Sequence, residues 1–153
     1  MQSARIWFRQ PDPGVTLGSV KKQLEAKGAQ VEETEWSLGS FSVPQLHVLQ
    51  PIPFLIQLND DEYVVEEADE FSKFESVPVE IRPKLAACDA RLEIGDISEN
   101  AAITDQEIFV IAGWTNFDPS HPTARDFLIG LATSLDGVFE DNVNGFWWTP
   151  DFE

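Results

Sequence analysis

Cysteine is nearly absent from this chain. Cys88 stands alone among 153 residues, so no internal disulfide can form. Its Ala-Ala-Cys setting reads as a small buried hydrophobe in a reducing compartment. Histidine is almost as scarce, with only His47 and His121. Neither His-x-x-x-His nor Cys-x-x-Cys spacing occurs, so no metal ligand set is expected. The glycines are scattered singly, and the phosphate-loop, dinucleotide and nucleophile-elbow patterns are missing. Long apolar runs are missing too. Pro53–Leu58 and Phe127–Leu135 fall well short of the ~18 residues a membrane helix needs. Met1–Arg9 has neither the apolar core nor the small-residue cleavage site of a signal peptide, which leaves the cytoplasm as the expected compartment.

Basic residues are the other shortage. Ten Lys and Arg face 27 Asp and Glu, for a net charge of −17. The imbalance is uneven: residues 1–30 hold five bases and two acids, and the remaining chain holds five bases and 25 acids. Such a field opposes nucleic-acid phosphates and anionic membranes, which call for clustered Lys and Arg. It favours and steers encounters with basic proteins, although an acidic surface also serves solubility alone.

What is present is core material. The hydrophobic fraction is 42%, with 11 Phe and 5 Trp, and the length suits one domain spanning residues 1–153. Ala4–Phe8 reads as a strand. Thr16 is placed to cap a helix through Leu17, Val20 and Leu24 that Gly28 stops. Val31–Trp36 is a second strand, Gly39–Pro44 a loop, and Leu46–Leu49 and Ile52–Leu58 strands parted by Gln50-Pro51. Val64, Ala68 and Phe71 then recur at helical spacing behind Asp60, Asp61 and Glu62, which complement the positive end of a helix dipole; a hairpin strand through Tyr63-Val64-Val65 is the competing reading. A helix over Val79–Ala87 and strands at Ala90–Ile94 and Ile108–Gly113 follow. Pro122 to Leu135 is a helix with Leu128, Leu131 and Leu135 inward, stopped by Gly137. Val138–Asp141 and Gly145–Thr149 close the chain as a hairpin. This order predicts an α+β fold: a mostly antiparallel sheet with helices packed largely on one face, as a single layer pair.

No catalytic residue, metal ligand or cofactor is expected. His47 alternates with Leu46 and Val48 and is expected to face outward, and His121 precedes Pro122 where a capping role suits it. Carboxylates are the one abundant reactive type. Glu62, Glu66 and Glu70 form a row at helical spacing, with Glu67 elsewhere on the circumference, and like charges so spaced repel. Two readings follow: a solvated face, or an acidic surface kept for cations on a partner. The candidate partner-binding residues are Asp60, Asp61, Glu62, Glu66, Glu67, Asp69 and Glu70, joined by Trp114 and Trp148, because tryptophan dominates binding hot spots. Trp147 and Trp148 are adjacent on one strand and so point to opposite faces.

From Ile52 to Trp148 the layout resembles small acidic bacterial immunity proteins made against interbacterial toxins, including those of type VI secretion. The resemblance is carried by the strand running into Asn59-Asp60-Asp61-Glu62, the stretch Lys84-Leu85-Ala86-Ala87-Cys88-Asp89-Ala90-Arg91-Leu92-Glu93-Ile94, and the Leu135-Asp136-Gly137-Val138 turn before the final hairpin. It implies a cytoplasmic antidote with no activity of its own. Such a protein, a monomer or weak dimer when free, would block one toxin by direct contact, here a basic toxin such as a nuclease. Two other classes stay open: a carboxylate-based or metal-dependent hydrolase, and a structural adaptor or chaperone of a secretion assembly. A concave site with perturbed carboxylates would mark the first, a large exposed apolar patch or sheet edge the second.

Overall fold

A computed structural model describes residues 2–38, 40–97 and 117–152. Among the described residues seven strands form one sheet: β1 (Gln2–Phe8), β2 (Gln30–Leu38), β3 (Phe41–Gln50), β4 (Phe54–Asn59), β5 (Ala90–Gly95), β6 (Val138–Asp141) and β7 (Phe146–Trp148). Their order is β2-β3-β4-β5-β1-β6-β7, and every neighbouring pair is antiparallel. The first and fifth strands therefore lie at the centre, and all six residues of β5 are buried, two charged ones included. The strand expected at Ile108–Gly113 lies outside the described residues.

Among the described residues the α-helices are α1 (Leu17–Ala26), α2 (Glu62–Phe71), α3 (Arg82–Ala86) and α4 (Pro122–Ser134). Thr16 caps α1 in a reciprocal box: its hydroxyl accepts from the Ser19 amide, and its own amide donates to the Ser19 hydroxyl. Gly28 ends the run at φ +93°. α2 takes the helical reading over the hairpin one, with Val64 and Ala68 buried; it stops at Phe71, so Phe74 stands in the loop beyond. α3 is shorter than expected. His121 accepts from the Thr123 amide at the start of α4, the capping role foreseen for it. At the end of α4 the left-handed residue is Asp136 (φ 48°), not Gly137. Gly137 is demanded by a close approach instead, because a Cβ there would lie 2.5 Å from the Trp7 carbonyl oxygen.

The α+β class and the antiparallel sheet are as expected, and the helices divide between the two faces. Val20 and Leu24 of α1 with Leu128 and Leu131 of α4 bury against Ile6, Phe8, Leu92 and Ile94. On the opposite face Val64, Ala68 and Leu85 of α2 and α3 pack on Trp7, Val138 and Trp147. The single layer pair thus gains a second, smaller helical layer. Cys88 lies buried in it, as the sequence suggested. Leu135 is only half-buried, because it already belongs to the cap of α4.

Two further expectations are corrected. Phe41 to Pro44 is strand rather than loop: Pro44 stands opposite Glu35 in the register with β2. β4 pairs with β3 only at Leu46–Val48, so Pro44 sits beyond that ladder, where a missing N–H is tolerated. His47 does not face solvent; it is 1% exposed, with Nε2 3.0 Å from Gln45 Oε1. Alternation put it on the face opposite Leu46 and Val48, as read, but that face is covered as well.

Candidate functional site

Asp60, Asp61, Glu62, Glu66, Asp69 and Glu70 are all exposed along or just before α2. Asp61 holds the N-cap position without a side-chain bond, and Asp69 meets Lys73 at 3.1 Å across one exposed turn. Tyr63 and Val65 are exposed among these carboxylates. Glu67 is the exception. It turns toward the sheet and meets the Arg91 guanidinium at 2.8 Å. Arg91 also pairs with Glu93 at 3.0 Å and lies over the Trp7 and Tyr63 rings, at 4.9 and 5.4 Å from their centroids. Asn59 donates to the same Glu93 carboxylate. The helix is thereby fixed to β5 by charge as well as by Val64 and Ala68.

The same device recurs twice on the neighbouring strands. Arg5 donates to both oxygens of Glu140, at 3.1 and 3.2 Å, while Trp7 Nε1 donates to Oε1 at 3.0 Å. Arg125 donates to Asp141 at 2.6 Å, and the other Asp141 oxygen accepts from the Val143 and Asn144 amides, which shapes the β6–β7 turn. Three of the protein's ten bases are thus turned inward against acids. Charge counting could not find them. A usable signal was the placing of Arg5 and Arg91 between apolar neighbours inside predicted strands, since a charge on a covered sheet face must be paired.

Next to these pairs, between the C-terminal end of α2 and the β6–β7 hairpin, lies a cleft of about 420 Å³. Phe71, Phe74 and Trp147 supply its aromatic lining, and Arg5, Glu140 and Asn142 its polar part. The Phe71 and Phe74 rings stack at 4.9 Å and 30°, and Arg5 lies over Phe71 at 5.6 Å. Turned with its oxygen toward Arg5 (2.9 Å), the Asn142 amide brings its nitrogen 2.5 Å from Glu140 Oε2. None of these lining residues is among the candidate partner-binding residues read from the sequence; Phe71 recurs at helical spacing with Val64 and Ala68, and Phe74, beyond the helix, is 42% exposed.

The tryptophans divide. Trp147 faces the cleft, whereas Trp148, the proposed contact residue, is half-buried against the larger core on the other face. Trp114 lies outside the described residues. Among the described residues no group of three His, Cys, Asp or Glu side chains is placed to hold a metal ion, and no helix is long and apolar enough to cross a membrane. The two carboxylates of the cleft are each engaged by an arginine, so neither stands as a free acid or base. No protein-family model, no curated protein and no solved structure matches this chain.

Proposed function

We propose that this chain is a stoichiometric binding protein: an immunity protein that neutralises a basic toxin in the bacterial cytoplasm by direct contact. The observation that carries the reading is the segregation of charge. Arg5, Arg91 and Arg125 point inward and are matched to acids, while Glu62, Glu66, Asp69 and Glu70 point outward from α2. The surface is therefore more uniformly negative than composition alone requires. A field of one sign raises the rate of encounter with an oppositely charged protein and excludes wrong partners. The exposed Tyr63 and Val65 among those acids add apolar area that a partner could cover.

Affinity capture with the intact chain, followed by identification of the bound protein and reconstitution from purified components, tests the proposal. A basic partner forming a one-to-one complex and losing its toxic activity is the expected result. An acidic partner, or a basic one whose activity persists in the complex, overturns it. Turnover of a small substrate by the purified chain alone would return the hydrolase reading.

A further inference from the structure

We infer that the cleft between α2 and the β6–β7 hairpin receives one arginine side chain of the partner. This rests on the proposed function and names where it acts. The cleft is large enough for a guanidinium and its stem, at about 420 Å³. Phe74, 42% exposed, and Trp147, 9% exposed, both line the cleft, and among the described residues no cation lies over either ring. A planar guanidinium stacks on such rings and is less strongly hydrated than an ammonium, which favours arginine over lysine.

The charges agree with a cation. Inside the cleft Arg5 is neutralised by Glu140, and Asp141 by Arg125, so the polar part is balanced. Beside it, exposed Glu70 and Glu75 adjoin the lining residues Phe71 and Phe74 in sequence; Lys73 also adjoins Phe74 but is paired with Asp69, and Arg82 is held on the Val77 and Phe74 carbonyl oxygens. The negative end of the α2 dipole has no base in its last turn. Asn142 is exposed on a turn, so its amide can yield Glu140 Oε2 to an incoming guanidinium, leaving one carboxylate between two arginines. An anion would meet the −17 net charge of the molecule.

The test uses N-acetyl-arginine amide as probe and its neutral isostere, N-acetyl-citrulline amide, as control, with the Trp147 indole signal followed by NMR. The expected result is a saturable shift with arginine and a much weaker one with citrulline. Phe74→Ala should weaken arginine binding about two- to fivefold, the range for one exposed cation–ring contact. Asn142→Asp should tighten it and Asn142→Lys should abolish it; Asn142 is an exposed turn position, and the folding of both variants is checked by the unchanged remainder of the spectrum. Equal binding of citrulline, tighter binding of N-acetyl-glutamate amide, or indifference to both Asn142 changes overturns the inference. A basic partner that binds the Phe74→Ala and Asn142→Lys variants as well as the parent overturns the cleft while sparing the proposed function. Absence of any basic partner overturns the function, and the amide titration still decides the cleft.

Discussion

Arg91 shows how much one side chain settles here. It is 5% exposed, touches two carboxylates and two rings, and connects α2 to the centre of the sheet. Breaking a buried pair from one side leaves an uncompensated charge, so Arg91→Ala should lower the unfolding free energy by about 3–5 kcal/mol in denaturant titration. The double change Arg91→Met with Glu93→Leu should cost less than that single change, because no charge is then stranded. A single-site loss under about 1 kcal/mol would show that water reaches the pair. Cys88 makes a second residue-scale case. Burial pushes its thiol up to about 12 from an ordinary 9.0. At pH 8 the thiolate is then scarcer by a factor on the order of a thousand, and a disulfide reagent should label the native protein far more slowly than the unfolded one. Equally fast labelling of both would place the thiol at the surface.

Among the elements, α4 is the most self-evident, and its inward stripe can be tested directly. Leu131 is buried with Leu128 against the sheet, so Leu131→Ala should cost about 2–5 kcal/mol, whereas a loss below about 0.5 kcal/mol would mean that the helix is not seated there. α3 has only five residues and no side-chain cap, so it depends on its anchors. Leu85 is buried, and Lys84 reaches Asp136 at 2.8 Å, Thr149 at 2.7 Å and Asp151 at 3.1 Å. Burial by itself would push the Lys84 ammonium down; its bonds to Asp136 and Asp151 outweigh that and hold it above the ordinary 10.5. A raised value in the folded state stabilises fully below the unfolded value and is lost as pH climbs through the folded one. Thermal stability should therefore fall more steeply above pH 10.5 in the parent than in Lys84→Met, as scanning calorimetry across that range would show. Parallel curves would remove Lys84 from the account.

At the scale of the whole molecule the net charge dominates how it meets others. Screening acts over ~8–10 Å at physiological ionic strength, so association with a basic partner should slow as salt is raised. Reversing Glu66 and Glu70 to lysine should reduce the association rate more than it increases the dissociation rate, read by surface-binding kinetics at several salt concentrations. A tight complex whose association ignores both salt and this double reversal would leave the α2 acids as a solvated face. Lys84, Arg5 and Arg91 are each paired with acids, so the charges left unpaired are more nearly of one sign while the net charge stays at −17.

Local signals in the chain determined the α+β class, the capped start of α1, the stripe of α4, the final hairpin and the outward acids of α2, because spacing, caps and turn residues act over a few neighbours. Tertiary structure decided the rest. Whether the second sheet face is covered depends on where a distant helix lands, so His47 could be assigned to a face but not to solvent. Pro44 became a strand residue because β4 begins too far along to need its N–H. Gly137 was legible as a glycine requirement, yet its reason is the Trp7 carbonyl, some 130 positions away. The cleft unites Arg5 from the first strand, Phe74 beyond α2 and Trp147 from the last strand, and no local pattern could join them. Pairing of charges across a sheet is set by register, and register is a property of the assembled strands rather than of any one of them.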